Sequence, residues 1–67
     1  MRLTVNGTER ELEGPLTVKG LLEALDIDQR YGAVEVNREV VPRSEHGEHR
    51  IEDGDEVEII RFVGGGT

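Results

Sequence analysis

Apolar residues recur every second position at the start of this chain, shift to the 3.6-residue spacing of a helix, and then return to alternation. That order restricts the possible folds more than any other feature. Leu3 and Val5 alternate with Arg2, Thr4 and Asn6, the pattern of a strand with one buried face. Asn6-Gly7 follows, and both residues accept the positive φ of a tight hairpin turn. Thr8 to Leu12 is therefore expected to return antiparallel, with Gly14-Pro15 ending it. Thr17 is a candidate helix N-cap. Beyond it, Val18, Leu21, Leu22 and Leu25 form one apolar stripe at i, i+3, i+4 and i+7. Gly20 inside that helix costs up to about 1 kcal/mol relative to alanine. Either another backbone approaches there or the helix is weak.

Asp26 to Gly32 reads as the exit loop. Ala33 to Asn37 alternates again, with Val34 and Val36 on one face and Glu35 on the other. Asn37-Arg38-Glu39 is a turn, and Val40-Val41 a short strand stopped by Pro42. Arg43 to Arg50 is a polar connection with a helical turn, and Glu52-Asp53-Gly54-Asp55 turns into a final strand. The expected order is ββαββ, an α+β mixed sheet with one main helix.

The chain has 67 residues and no cysteine. A domain this small buries only about 60% of its unfolded surface, and no disulfide or thiol nucleophile supports it. The N-terminus lacks the apolar stretch of a signal peptide. No segment approaches the roughly 18 apolar residues of a membrane span, so a soluble, cytoplasmic protein is expected. Fifteen acidic against eight basic residues give a net charge of −7. That argues against nucleic acid, whose phosphates a partner must neutralise. It suits either a basic protein surface or simple solubility.

The last strand breaks its own pattern. Val57 and Ile59 share one face and Glu56 and Glu58 the other, but Ile60 and Phe62 take the parity of the glutamates. Without a bulge both project away from the core, where exposed apolar groups mark a partner-docking surface. A bulge would instead turn Phe62 inward. Gly64-Gly65-Gly66-Thr67 then follows. A glycine run is costly to order and has nothing to bury, but it is thin enough to thread a partner's channel. Residues 1–63 are expected to form the domain, and 64–67 a flexible tail.

Other clusters carry less. His46 and His49 stand three apart beside Glu45 and Glu48, without a convincing third zinc ligand, and read as a solvated connection. The acidic run Glu52 to Glu56 lacks the calcium-loop pattern and reads as a charged turn, open to a basic partner. No glycine-rich loop precedes the helix to cradle phosphate. Lys19, the single lysine, shows no sign of the burial that Schiff-base chemistry needs.

Together these pieces resemble the ThiS family of sulfur carrier proteins of thiamine biosynthesis. The resemblance rests on Asp53-Gly54-Asp55 before the last strand and the ending Arg61-Phe62-Val63-Gly64-Gly65-Gly66. Val36 to Arg43 and the Leu21-Leu22 helix add to it, so that it covers essentially the whole chain. It implies a ubiquitin-like β-grasp fold and no catalysis by the chain itself. It implies that a ThiF-like adenylyltransferase uses ATP and magnesium to adenylate the terminal glycine. A sulfur donor protein then makes the thiocarboxylate, and a ThiG-like thiazole synthase accepts the sulfur. No cofactor is implied for this chain. Gly66 falls at the reactive terminus, with Gly64 and Gly65 threading the partner. The family normally ends at the glycines, whereas Thr67 follows here, so Thr67 is expected to be removed. A MoaD-like carrier of molybdopterin synthase or a ubiquitin-like modifier uses the same chemistry and stays open. So does a β-grasp adaptor whose tail is only a spacer.

Overall fold

The Asn6-Gly7 pair turns the chain as expected. Both residues have positive φ, 50° and 81°, and strands β1 (Arg2–Val5) and β2 (Thr8–Glu11) pair antiparallel around them. The structure is a computed structural model that describes residues 1–28, 30 and 32–61. The sequence expectations for Phe62, Gly64, Gly65, Gly66 and Thr67 lie outside the described residues.

After β2 come β3 (Leu16–Thr17), helix α1 (Val18–Ala24), β4 (Gly32–Val36) and β5 (Glu39–Val41). A 3₁₀ turn over Arg43–Glu45, β6 (Arg50–Ile51) and β7 (Glu56–Arg61) complete the order. The main sheet runs β2-β1-β7-β4-β5, and β3 pairs separately with β6. β1 and β7 are parallel, while the other pairs are antiparallel. The mixed sheet with one main helix is the expected α+β architecture. The Val40-Val41 strand takes its expected place, as β5 at the edge of the sheet, and the β3–β6 ladder is an addition that was not foreseen. Two-residue strands are too short to show a period, so sequence alternation cannot reveal them.

The core lies between one sheet face and the helix. Leu3, Val5, Val34, Val36, Val41, Val57 and Ile59 pack with Val18, Leu21, Leu22 and Ile51. Full burial of each such side chain is worth about 1.5–3 kcal/mol. The seven-residue helix is far shorter than an isolated helix needs to be, so this packing holds it in place.

Its ends are satisfied by named groups. Thr17 Oγ1 accepts from Gly20 N at 3.1 Å, as an N-cap should. Val18 N donates to His49 O at 2.9 Å and Lys19 N to His46 O at 2.8 Å, which satisfies two further amides of the first turn. At the other end Asp26 has φ 60°. Ile27 N donates to Leu22 O at 2.8 Å and Asp26 N to Glu23 O at 3.1 Å. These are the paired bonds of a Schellman motif, with aspartate in the position that usually takes glycine.

Gly20 is neither of the expected alternatives in full. A Cβ there would meet the Leu16 and Thr17 side chains, at 3.3 Å and 3.5 Å, and no backbone within 4 Å other than the helix's own. Strand β4 begins at Gly32, one residue before the expected start. A Cβ at Gly32 would lie 3.2 Å from Ile60 O, which is why a residue without a side chain suits the approach to β7.

Candidate functional site

β7 lies in the centre of the sheet, between β1 and β4, and is the strand from which the glycine tail continues. Its register with β4 runs unbroken from Val36↔Val57 to Gly32↔Arg61. No bulge interrupts it, so the side-chain alternation continues through Arg61. Val57 and Ile59 therefore enter the core. Ile60, opposite Ala33, projects from the other face and is 50% exposed. Phe62, the second predicted docking residue, and the tail residues Gly64, Gly65 and Gly66 lie outside the described residues.

The outer face around Ile60 is acidic. Glu35 stands directly opposite Glu58, a like-charge pair that destabilises a sheet. Glu9 and Glu56 flank Thr4 from its two sides. Val40, 65% exposed, faces Glu35 across the β4–β5 pair. Among the described residues, the ion pairs are Arg2–Glu11 at 3.6 Å and Arg30–Asp28 at 2.8 Å. Neither involves Glu35, Glu56 or Glu58. Arg38 lines a small depression with Glu56 and Glu58 without pairing with either. Sequence alternation pointed to Ile60. It gave no sign of the Glu35–Glu58 juxtaposition, which depends on strand register.

One sequence expectation needs correction. The Arg43 to Arg50 connection is not solvated throughout, because His46 is 2% exposed. Its Nε2 lies 3.1 Å from Val41 O, and its carbonyl caps the helix as described above. No apolar periodicity surrounds His46, so its burial left no trace in the sequence. The acidic run before β7 is the charged turn expected, and its two aspartates hold it in shape. Asp53 Oδ1 accepts from Arg2 N at 2.6 Å, and Asp55 Oδ2 from Glu52 N at 2.8 Å. Asp55 Oδ1 also accepts from Asn37 Nδ2 at 3.0 Å. These carboxylates fix the entry into β7.

Away from this face, the side-chain hydrogen bond from Arg30 holds the Asp28 carboxyl below the usual carboxylate range, and the Arg30 guanidinium is raised in turn. Among the described residues, no three His, Asp or Glu side chains converge as a metal site would require. No helix among them is long and apolar enough to cross a membrane.

The whole arrangement has close counterparts. The ThiS family model matches residues 3–66. The sulfur carrier protein ThiS of Escherichia coli (strain K12) is 32% identical over 66 residues, covering 98% of this chain and 100% of that protein. A thiazole synthase of Paramagnetospirillum magneticum is 45% identical over 67 residues, covering 100% of this chain and 21% of that protein. The chain thus spans about a fifth of the length of the thiazole synthases it matches. The crystal structure of a thiamine biosynthesis protein (ThiS) from Geobacter metallireducens superimposes with a TM-score of 0.84. It has 43% sequence identity and covers 98% of this chain and 100% of that one. By a family match that runs the length of the chain and a shared ubiquitin-like β-grasp fold, this chain belongs to the ThiS family of sulfur carrier proteins.

Proposed function

We propose that the chain carries sulfur as a thiocarboxylate on Gly66, for formation of the thiazole ring of thiamine. The observation that supports this most is the family match continuing through the glycine run to residue 66. In this reading residues 1–63 are the β-grasp domain and 64–67 the tail. Ile60 and Phe62 dock on a partner, Gly64 and Gly65 pass through its narrow channel, and Gly66 reacts.

The chemistry accounts for the residue types. A carboxylate is a poor electrophile, so a ThiF-like adenylating enzyme first joins it to AMP. A Gly66 carboxylate oxygen attacks the α-phosphorus of ATP and pyrophosphate leaves. ATP and magnesium are held by that enzyme, which stabilises the developing charge. A sulfur donor protein's persulfide then attacks the acyl carbon and displaces AMP. A thiol releases the thiocarboxylate, the two remaining sulfurs leaving as a disulfide. A ThiG-like thiazole synthase takes the sulfur. Glycine keeps the acyl carbon open to attack on both sides. A residue bonded to Gly66 turns its carboxylate into an amide, so Thr67 is removed before loading.

The test is the intact mass of chains ending at Gly66 and at Thr67, after incubation with the adenylating enzyme, magnesium ATP and the sulfur donor. The Gly66-ended chain is expected to exchange one oxygen for sulfur, and the Thr67-ended chain to stay unchanged. An unmodified Gly66-ended chain would sink the reading, while loading of the Thr67-ended chain would overturn the removal step.

A further inference from the structure

β7 loses one of its two neighbours before it ends. Its register with β1 stops at Val5↔Val57, and Asn6 N adds a bond to Val57 O at 2.9 Å. The Asn6-Gly7 turn then carries the backbone away, while β4 stays alongside as far as Arg61. On the side that β1 has left, Ile59 is met by the Asn6 side chain. That amide accepts from Ile59 N at 2.7 Å and donates to Ile59 O at 3.2 Å. The left-handed turn conformation of Asn6, φ 50°, sets the position from which the amide reaches across. Ile59 itself is buried, and Ile60 beyond it is exposed on the outer face. The glycine run begins five residues after the clamped position.

We infer that Asn6 is a positioning residue for loading. By clamping Ile59 it keeps the last two residues of β7 in the sheet, so that a partner has to order only the chain beyond the strand. This rests on the carrier reading. Threading a tail into a channel fixes backbone that was free, and each residue fixed costs roughly tenfold in the equilibrium. A strand end held from one side opens more readily than one held from both. Without the clamp, Ile60 and Arg61 join the stretch that the partner must order. Ile60 is also a docking residue in the carrier reading, so the same loosening blurs the offset between docking site and tail. Ile59 offers one donor and one acceptor, and the asparagine amide answers both. Aspartate lacks the donor. Asn6 touches no reacting atom and acts on the reaction only through Ile59.

The experiment compares three chains ending at Gly66, the form that reacts in the carrier reading: the unaltered sequence, Asn6→Gly and His46→Ala. Asn6→Gly removes both bonds and keeps the turn conformation, while His46→Ala weakens the fold elsewhere. Amide exchange is read by NMR on the free chains. The kcat and KM for adenylation are read from pyrophosphate release with the adenylating enzyme and magnesium ATP. In Asn6→Gly, exchange at Ile60 is expected to rise roughly tenfold more than at Val57, the buried centre of the same strand. Its kcat/KM is expected to fall roughly tenfold. His46→Ala is expected to show neither the Ile60 difference nor the kinetic loss. Equal acceleration at Ile60 and Val57, normal adenylation of Asn6→Gly, or an equal loss in His46→Ala would each overturn the inference and leave Asn6 a stabilising residue only. Should Asn6→Gly fail to fold, Asn6→Asp keeps the bond to Ile59 N and is read in the same way. If the unaltered chain is not adenylated at all, the carrier reading itself falls, and the inference falls with it.

Discussion

The Asn6 side chain stands in for a strand opposite Ile59. Asn6 Oδ1 accepts from Ile59 N at 2.7 Å, and Asn6 Nδ2 donates to Ile59 O at 3.2 Å. β1 pairs in register with β7 through Thr4 and Val5, Asn6 N donates to Val57 O at 2.9 Å, and the backbone then leaves for the hairpin. A side-chain amide presents the same donor and acceptor as a peptide group, so it continues the ladder where the main chain has turned away. Asn37 does a similar task at the start of β7. Its Oδ1 accepts from Glu56 N at 3.0 Å, and its own N donates to Glu56 O at 2.7 Å. Both asparagines have positive φ, so one residue type serves a turn and the central strand together.

Asn6→Ala should destabilise the fold in two ways. It strands the Ile59 backbone groups, at about 1–3 kcal/mol, and it places alanine in a left-handed conformation, at about 1–2 kcal/mol. Asn6→Gly should recover the second part only. Urea denaturation of the pair separates the terms, and equal stability of both variants would remove the conformational term.

His46→Ala should cost about 2–4 kcal/mol, since it empties a buried site and removes the hydrogen bond to Val41. His49→Ala, on the more exposed side of the same connection, should change stability by about 0.5 kcal/mol or less. Similar losses for both would contradict the burial of His46.

Asp26→Gly should stabilise the chain by a few tenths to about 1 kcal/mol, because glycine adopts the helix-ending conformation without a Cβ penalty. The thermal midpoint checks this, and a lower midpoint would count against the Schellman assignment.

Adjacent residues of β7 should respond differently. Ile59→Ala removes core packing and should cost about 2–5 kcal/mol. Ile60→Ala, on the outer face, should cost about 1 kcal/mol or less but weaken association with the adenylating enzyme. Stability and affinity measured on both variants test the division. A mainly unfolded Ile60 variant would return that residue to the core.

Asp28 offers a pH readout. Its carboxyl is held low by Arg30, so the small stability it adds is present above the ordinary carboxylate pKa and lost as pH falls through the lowered value. In Arg30→Gln the Asp28 titration followed by NMR should move up towards the ordinary value. No movement would exclude the Arg30 side chain as the cause, because the residue 30 N–H still donates to Asp28 Oδ1 in the variant.

Legible in the residues alone were the hairpin at Asn6-Gly7, the Thr17 cap, the helix stripe, the alternation that exposes Ile60 and the family resemblance. Each rests on neighbours within a few residues, where backbone preference and side-chain period act directly. Tertiary structure decided the rest. The burial of His46 depends on β5 and the start of the helix closing over it. The Asn6 bonds to Ile59 span 53 positions and depend on β1 lying between β2 and β7. The facing of Glu35 and Glu58 follows from strand register alone. Long-range register is selected by burial of the entire core, so no local stretch of sequence records which distant side chains it will bring together.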